Sequence, residues 1–415
     1  MIVGFRCAVC GTTVDIATPF AWKCPRATTH DPHHVLHLLE APSARELLAP
    51  DLLASDNPFV RFGPRLAWWQ FARANGVTAA ACEALTYEVA GDFTFTPLVH
   101  STDLDDLVGR PVWSKVETGN VAGSHKARHL ASILLHLRAA ELLGMLPHRP
   151  SLAIASCGNA AIAAATLAAS VDWPLEVFVP TWMDAALGDT LTKLEARITI
   201  CDRREDDPPG DPTLHRFREV VSAGAIPFSV QGPENAYCLD GGRTIGWELA
   251  EQLAGQSNGP IAPASVYVQV GGGAFAACLS AGLDHQVPLV TVQAEGAAPL
   301  EAALERAATT DHPERKWADI MRPWPNPHSV ADGILDDETY DWIAVRNAIE
   351  ASGGRSLVVP EAAIEHAHAA ALAAGFNVSP TGSAGLAGVL TEVAALSPDG
   401  VPAGPALVVM SGVAR

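Results

Sequence analysis

The sequence predicts an α/β protein built from two open parallel-sheet domains. From about residue 111 onwards, short apolar segments alternate with longer segments of helical character. The apolar segments are continuous, which is typical of parallel strands covered by helices on both faces. The alternation is interrupted near 230–240 and then resumes, which indicates two sheets in separate domains with a cleft between them.

Predicted strands and helices follow one another through both blocks. The predicted strands are 112–117, 151–156, 175–180, 198–201, 226–230, 265–270, 289–294, 356–360 and 406–410. The predicted helices are 124–143, 160–170, 185–195, 213–223, 242–255, 274–284, 361–374 and 383–396.

The domain boundaries follow from these blocks. We predict a small α/β domain over residues 115–230 and a large α/β domain made of 41–114 together with 231–415. Residues 1–40 form an N-terminal extension that is set apart by its cysteines and histidines. Residues 41–110 are predicted as loops and short helices, since prolines recur at positions 42, 50, 58, 64 and 97.

Composition excludes several classes of partner. The 415 residues carry a formal net charge of −19 without a cluster of Lys and Arg, which argues against nucleic acid and anionic membrane surfaces as partners. We see neither a signal peptide nor a membrane span, because the longest weakly polar run, 151–170, contains an asparagine and many alanines. Eight cysteines, most of them inside predicted elements, favour free thiols in a reducing cytoplasm over a disulfide framework.

One of only five lysines has an unusual setting. Lys126 lies in "GSHKARH", between a strand and a long helix, where the positive end of the helix dipole disfavours an ammonium and favours the neutral amine. A neutral amine is the nucleophile that forms an imine with an aldehyde. The alternative is a solvated lysine in the first turn of a helix.

A second strand-to-helix turn reads "SCGNAA", over residues 156–161. Small residues around Asn159 leave backbone N–H groups able to face a ligand, and the asparagine adds a side-chain donor. The alternative is that Asn159 simply caps the helix 160–170.

A third turn reads "VQVGGGAFAA", in which a strand runs into three glycines and then a helix. Glycines let backbone N–H groups converge on an anion at a helix N-terminus. The glycine spacing differs from GxGxxG, and no Lys-Ser/Thr pair follows as it does in a Walker A loop. A phosphate-binding loop without that lysine indicates the phosphate ester of a cofactor. Close packing of the strand and helix is the alternative.

Together the three turns match the groups of pyridoxal phosphate, namely an aldehyde, a phenolic oxygen and a phosphate. The chain resembles the tryptophan synthase β-like superfamily, fold type II of the pyridoxal-phosphate enzymes, and within it the threonine synthase and serine/threonine dehydratase group. The resemblance extends over about residues 95–412. Its motifs are "ETGNVAGSHKAR", "SCGNAA", "GGGAF", "DGGRTIGWELAEQL", "VTVQAEGAAPL", "SVADGI", "SPTGSAGLAGV" and "VVMSG".

The resemblance implies a role for each matched residue. Lys126 would form the internal aldimine, Asn159 would bind the ring 3′ oxygen, and Ser411 would face the pyridine nitrogen, with Ser383 as the weaker candidate. The cofactor is expected in the interdomain cleft. The phosphate loop would be Gly271, Gly272, Gly273 and Ala274, and the expected substrate-binding residues are Ser124, His125, Ser156, Gly158 and Ala160.

The resemblance also implies a reaction. We expect β-elimination on a small serine- or threonine-like amino acid, through an aminoacrylate, in a cytoplasmic homodimer. Threonine synthase acting on O-phosphohomoserine, a β-replacing synthase and a non-catalytic cofactor-binding protein remain alternatives. His125 replaces an aromatic residue, Ala127 an acidic residue and Cys157 a small hydroxyl residue of the related enzymes, which leaves the substrate open.

The N-terminal segment resembles half of a zinc ribbon. Cys7, Cys10 and Cys24 have the spacing of zinc ligands, but the expected fourth cysteine is absent. His30, His33 or His34 could supply a fourth ligand. From sequence alone a metal-free knuckle is favoured over a zinc site.

Overall fold

A computed structural model describes residues 1–28, 30–41, 53–208, 210–257, 259–395 and 404–414. Residues 42–52, part of the stretch 41–110 that is predicted as loops and short helices, lie outside the described residues. The strands are β1 Ile2–Cys7, β2 Thr13–Asp15, β3 Leu36–Glu40, β4 Leu98–His100, β5 Val112–Val116, β6 Leu152–Ala155, β7 Leu175–Pro180, β8 Arg197–Cys201, β9 Ile226–Pro227, β10 Ser265–Gln269, β11 Leu289–Ala294, β12 Arg355–Val359 and β13 Ala406–Met410.

Helices connect these strands. They are α1 Pro58–Arg61, α2 Ala67–Ala74, α3 Ala79–Ala90, α4 Thr102–Val108, α5 Lys126–Leu142, α6 Asn159–Ser170, α7 Ala185–Lys193, α8 Pro212–Ser222, α9 Cys238–Gly241, α10 Arg243–Ala254, α11 Ala274–Gly282, α12 Pro299–Ala308, α13 Trp317–Ile320, α14 Trp342–Ser352, α15 Glu361–Ala373 and α16 Pro380–Ala395. None of these described helices combines the length and apolar character that crossing a bilayer requires.

The chain divides into two compact units. Unit 1 is Met1–Thr94 with Lys126–Gly241, and unit 2 is Phe95–His125 with Gly242–Arg415. The sequence predicts boundaries at 115 and 230 and assigns residues 41–94 to the larger domain, whereas residues 53–94 belong to unit 1. They lie in unit 1 because α2 and α3 pack on the long helix α5. β5 joins a sheet of unit 2, so the chain passes between the units at Lys126.

Unit 1 contains two sheets. Four parallel strands form the first in the order β8-β7-β6-β9, with Ile154 beside Val177 in the register. The predicted strand 226–230 is shorter than expected, since β9 pairs with β6 only through Ile226 and Pro227. The N-terminal extension forms a separate antiparallel sheet, in the order β2-β1-β3, which the sequence pattern did not predict.

Unit 2 is built on a six-stranded sheet in the order β12-β11-β10-β13-β5-β4. The first five strands are parallel, and the edge strand β4 is antiparallel to β5. α16 packs closely on the sheet, where a side chain at Gly388 would come within 2.5 Å of Val292. The parallel α/β fold class is thus confirmed, with one antiparallel edge strand added.

Candidate active site

Three strands of unit 2 place the predicted site residues at one edge of the sheet. β10, β13 and β5 are neighbours and run parallel, so their carboxyl ends lie side by side. β10 leads into the glycine loop, β13 into Ser411 and β5 into the segment that precedes Lys126. The carboxyl edge of an open parallel sheet is where ligands of α/β proteins bind.

The glycine loop requires its glycines for packing as well as for any ligand. Gly273 is the N-cap residue of α11 and has φ 98°, a left-handed conformation that larger residues avoid. A Cβ at this position would lie 2.9 Å from Val345 and 3.0 Å from Thr339. At Gly271 a Cβ would lie 2.5 Å from the carboxylate of Asp336.

The same loop presents backbone N–H groups at the start of a helix. In the described part of the chain, no hydrogen bond has the amide nitrogen of Gly271, Gly272, Gly273 or Ala274 as its donor. The loop is fixed from its carbonyl side, where Gly272 accepts a 2.7 Å hydrogen bond from the amide of Asp341. An anion placed here would meet amide donors and the positive end of α11.

Ser411 is buried directly after β13. Its amide donates to the carbonyl of Gly382 at 3.1 Å, and its hydroxyl accepts a hydrogen bond from the side chain of Gln269. Ser383, the weaker candidate for the same role, donates its hydroxyl to the carbonyls of Ser379 at 3.1 Å and Pro380 at 3.2 Å, at the start of its own helix. Its hydroxyl proton is therefore used within the helix.

The segment that leads to Lys126 is held at its start by a buried carboxylate. Glu117 is fully buried and accepts hydrogen bonds from Thr96 at 2.5 Å and from Asn120 at 2.8 Å. Asn120 in turn accepts a hydrogen bond from the amide of Val121 through its side chain. The chain then turns tightly, with φ of 56° at Ala122.

The end of this segment is fastened to the Ser411 strand end. Ser124 forms an isolated antiparallel bridge with Gly412, and the amide of His125 donates to the carbonyl of Ser411 at 3.1 Å. The ring of His125 stacks on Phe275 in the first turn of α11. Lys126 is the next residue of the chain and begins α5 in unit 1.

Two of the other four lysines form ion pairs, and two lie exposed at the surface. Lys115 is fully buried and pairs with Glu248 at 2.6 Å, and Lys23 pairs with Glu234 at 2.7 Å. The two remaining lysines, Lys193 and Lys316, are exposed. Lys126 is half-buried at a helix start, which is the setting that the sequence predicted for it.

The asparagine loop of unit 1 follows β6. The helix α6 begins at Asn159, and its N-cap residue is Gly158, so Asn159 occupies the first turn rather than the capping position. Ser156 accepts a 3.3 Å hydrogen bond from the amide of Gly158, which tightens the turn, and Ala160 is buried. The geometry therefore contradicts the alternative that Asn159 serves only as the N-cap residue of this helix.

A separate cluster in unit 1 brings together three cysteines and one histidine. The ligand atoms of Cys7, Cys10, Cys24 and His34 all lie within 4.8 Å of one another. The sulfurs of Cys10 and Cys24 are 3.7 Å apart, and His34 Nδ1 is 3.5 Å from the sulfur of Cys7. His34 Nε2 lies 3.0 Å from a carboxylate oxygen of Asp31.

Burial and hydrogen bonds shift the pKa values of two thiols in this cluster. Burial raises the pKa of Cys24 to about 12. Burial acts in the same direction on Cys10, but hydrogen bonds from Thr12 and the neighbouring thiols outweigh it and lower the pKa of Cys10 to about 6. A thiolate is therefore most readily formed at Cys10, and no cysteine of the described chain forms a disulfide.

Two residues near these sites were missed from the sequence. Gln269 looks like any polar residue at a strand end, and only the sheet order brings it to Ser411. Asp31 is an exposed aspartate, and its contact with His34 is seen only in the three-dimensional structure. Neither has a sequence signal beyond its position next to a predicted site residue.

Comparisons with known proteins identify the family. Residues 89–412 match the family described as "Pyridoxal-phosphate dependent enzyme". The chain is 27% identical over 332 residues to a threonine synthase of Methanosarcina acetivorans, covering 77% of this chain and 73% of that protein. It is 25% identical over 223 residues to a serine dehydratase-like protein of Mus musculus, covering 53% of this chain and 62% of that protein.

Solved structures share the fold. A threonine deaminase from T.th. has a TM-score of 0.64 at 24% identity, and the match covers 81% of this chain and 98% of that one. Maize serine racemase has a TM-score of 0.63 at 20% identity, with 80% of this chain and 92% of that one covered. Together with the family match over most of its length, these findings show that the chain belongs to the pyridoxal-phosphate dependent enzymes, with the α/β fold of fold type II.

Proposed function

We propose that this protein catalyses β-elimination on a small serine- or threonine-like amino acid and releases a 2-oxoacid and ammonia. The observation that carries the proposal is Ser411, a buried neutral hydroxyl at the end of β13, beside the glycine loop at the end of β10. A hydroxyl facing the cofactor ring leaves the ring nitrogen unprotonated. Elimination and replacement at Cβ are the reactions expected of such a ring.

The residues present fit the cofactor group by group. Pyridoxal phosphate supplies an aldehyde that forms an imine with an amine and a ring that withdraws electrons from an attached amino acid. The amides of Gly271–Ala274 would bind its phosphate, since no described residue accepts from them. Asn159 would bind the ring oxygen and Ser411 the ring nitrogen.

Lys126 would carry the imine and then act as the base. Its amine, once displaced by the substrate, would remove the Cα proton. The electron pair of the broken Cα–H bond then forms a Cα–Cβ double bond, and the β-substituent leaves with its own bonding pair. Addition of water and loss of ammonia give the 2-oxoacid.

The substrate carboxylate would lie among small and hydroxyl-bearing residues. Ser124 is fully buried, and its hydroxyl has no partner among the described residues, so an external acceptor would satisfy it. We propose that it acts with His125 and with the turn formed by Ser156, Gly158 and Ala160.

Threonine synthase activity is the second candidate, because a threonine synthase is among the relatives. That reaction needs cations for the phosphate of O-phosphohomoserine. Arg110 is already engaged, since it donates to the hydroxyl of Tyr267 at 2.7 Å and lies 3.7 Å from Glu392. Arg128 and Arg243 are two further buried arginines that could be considered for that role, and Arg243 stacks over the ring of Trp247.

A panel of amino acids separates these reactions. Serine, threonine, diaminopropionate and O-phosphohomoserine are supplied to the purified protein with pyridoxal phosphate, and oxoacid, ammonia and phosphate are measured. Oxoacid and ammonia from serine or threonine support elimination. Phosphate released from O-phosphohomoserine alone would establish threonine synthase instead, and deuterium exchange at Cα without oxoacid would indicate racemisation.

Borohydride reduction tests the lysine independently of activity. Reduction of the imine fixes the cofactor on one lysine, which peptide mass spectrometry then locates. We expect the label on Lys126 and its loss in K126A, while K193A, which removes an exposed lysine, keeps it. A label on any other lysine would contradict the proposed role.

We also propose that the N-terminal cluster binds zinc through Cys7, Cys10, Cys24 and His34. Three cysteines and one histidine are a common set for structural zinc. Zinc–sulfur bonds of about 2.3 Å at the tetrahedral angle put two sulfurs roughly 3.8 Å apart, and Cys10 and Cys24 are separated by 3.7 Å. The carboxylate of Asp31 on His34 Nε2 would orient the ring so that Nδ1 faces the metal.

Metal analysis tests this site. Protein purified without added metal is expected to hold one zinc per chain, and C10S and H34A should each lower that content severalfold. C82S, which removes a buried cysteine of α3 outside the cluster, should keep it. Zinc at the same level in C10S and wild type would rule out the site.

A further inference from the structure

Gln269 lies between the carbonyl of Gly382 and the hydroxyl of Ser411, at the carboxyl edge of the unit 2 sheet. It is the last residue of β10 and is buried. Its side-chain nitrogen donates to the carbonyl of Gly382 at 3.1 Å and to the hydroxyl of Ser411. A single amide group therefore contacts both the start of α16 and the strand end that carries Ser411.

The Gly382 carbonyl fixes which way the amide points. A carbonyl oxygen accepts hydrogen bonds and has none to donate, so the NH2 side of Gln269 must face it. The same NH2 group then meets Ser411, whose oxygen has to act as the acceptor. Rotating the amide by 180° would set two oxygens against each other at the Gly382 contact.

This orientation decides what the Ser411 hydroxyl can do. A serine hydroxyl has one proton to donate and lone pairs to accept with. Because Gln269 uses a lone pair, the proton stays available, and no described residue accepts it. The backbone of Ser411 is held on both sides, by Gly382 at its amide and by His125 at its carbonyl.

The other end of the amide shows that this contact has a cost. The carbonyl oxygen of Gln269 is buried and has no hydrogen-bond partner among the described residues. A buried unpaired acceptor costs about 1–3 kcal/mol. Gly385 of α16 leaves the space for this oxygen, since a Cβ there would lie 3.2 Å from it and 2.8 Å from the carbonyl of Tyr267. An apolar residue in this position would avoid the cost, so the amide is present for its donor side.

We propose that Gln269 is a positioning residue that holds the hydroxyl of Ser411 as a one-way donor to the ring nitrogen of pyridoxal phosphate. This inference rests on the proposed function, in which Ser411 faces that nitrogen. Gln269 occupies one of the two lone pairs of Ser411, so the hydroxyl proton must point away from Gln269, where the ring nitrogen would accept it. The ring nitrogen then stays an unprotonated acceptor.

Nitrogen-15 NMR of enzyme loaded with ring-labelled pyridoxal phosphate tests the proposal without measuring turnover. The variants are Q269M, which removes the donor, Q269E, which has nearly the same shape but presents carboxylate oxygens, and S411A. Gln293 provides the matched control, because it is a fully buried glutamine of the adjacent strand β11 whose amide donates to Val270 at 3.1 Å. Q293M therefore removes a similar buried amide without touching Ser411.

We expect S411A, Q269M and Q269E to move the ring nitrogen resonance in the same direction, towards that of a pyridine without a hydrogen bond, while Q293M leaves it in place. If Gln269 acts through Ser411, the S411A/Q269M double variant should match S411A alone. An unchanged resonance in both Gln269 variants, or a further shift in the double variant, would overturn the inference. Failure of wild type to bind the cofactor at Lys126 would instead refute the proposed function, as borohydride labelling would reveal.

Discussion

The imidazole ring of His125 stacks on the phenyl ring of Phe275, with ring centroids 4.1 Å apart and ring planes 25° from parallel. The stack joins the residue before Lys126 to the first turn of α11, directly after the glycine loop. The resemblance to the threonine synthase and dehydratase group implies an aromatic residue at this position. His125 therefore keeps the flat ring of its counterparts while adding two nitrogens, one of which lies 3.2 Å from the carbonyl of Ser411.

Replacing His125 separates the role of the stack from that of the nitrogens. An aromatic pair contributes about 0.5–1.5 kcal/mol beyond the area it buries. We expect H125A to weaken pyridoxal phosphate binding roughly fivefold, about 1 kcal/mol, and H125F to bind it as wild type does. Fluorescence titration of the cofactor measures both.

His100 offers a control for this prediction. It stacks on Trp113 with ring centroids 4.9 Å apart and planes at 16°, in the same unit but on the edge strand β4. H100A should leave the cofactor dissociation constant unchanged. Equal affinity of H125A and wild type would show that the stack plays no part in holding the loop.

Much of the fold could be predicted because a parallel strand that is buried on both faces of its sheet gives a continuous apolar run in the sequence. β7, β11 and β13 begin and end at the predicted residues, since their apolar runs are bounded by polar or turn residues. The family match also confirms the resemblance that rested on the Lys126, Asn159 and glycine-loop segments. Local chemistry at strand ends was enough to find these three turns.

The missing parts depend on contacts between distant segments. Residues 67–90 give no local sign that they pack on α5 instead of the larger sheet. From the sequence, His30, His33 and His34 are equal candidates for a fourth ligand. The pairing of β3 with β1 distinguishes them, because it places His34 beside Cys7. The contacts of Gln269 with Ser411 and Gly382 could not be predicted, because they depend on β13 lying beside β10 and on α16 packing on both strands.

A larger residue at Gly273 should damage both stability and cofactor binding. G273A places a Cβ 2.9 Å from Val345 in a backbone with φ 98°. We expect it to unfold more easily by more than about 1 kcal/mol and to shift the amides of the loop, so that pyridoxal phosphate binds at least tenfold more weakly. Thermal unfolding and cofactor titration check the two effects.

Gly353 is the matched control for this substitution. It also has a positive φ, 67°, but a Cβ there would meet nothing within 4 Å. G353A should lower stability modestly and leave cofactor affinity as it is. The prediction for the glycine loop is wrong if both variants lose affinity equally or if neither does.

Removing Lys115 should destabilise the protein without removing Lys126, the lysine that we propose binds the cofactor. Its ammonium is buried between Glu248 at 2.6 Å and the carbonyl of Thr96 at 2.8 Å. K115M leaves the buried carboxylate without its cation, which typically costs about 3–5 kcal/mol. Denaturant unfolding should show this loss, whereas borohydride labelling of Lys126 should persist.

The reason for that loss can be tested with a second change. In K115M/E248L both charges are removed, so the unfolding free energy should recover part of the loss seen in K115M alone. R346M, which breaks the partly exposed pair with Glu350 at 2.8 Å, should cost less than about 1 kcal/mol. A similar loss in K115M and R346M would contradict a buried, uncompensated charge as the cause.

The pH dependence of stability should include a component from His136. This fully buried ring lies 4.2 Å from both Phe71 and Tyr237, and its Nε2 accepts a 3.2 Å hydrogen bond from the amide of Phe20. Burial lowers the pKa of His136 to about 3, from 6.5. Between these two pH values the imidazole of His136 is protonated in the unfolded chain but stays neutral in the folded protein. The free energy of unfolding therefore falls as the pH drops below about 6.5 and continues to fall towards about 3.

H136F removes this proton uptake. Within the window the slope for one group is about 1.4 kcal/mol per pH unit, so from pH 7.5 to pH 5.0 wild type should lose roughly 2 kcal/mol more unfolding free energy than H136F. At pH 7.5 the variant itself should be about 1 kcal/mol less stable, because the amide of Phe20 loses its acceptor. H366F, at an exposed position of α15, should keep the wild-type difference. Urea unfolding at the two pH values measures it, and parallel losses in wild type and H136F would mean that His136 is protonated in the folded protein as readily as in the unfolded chain.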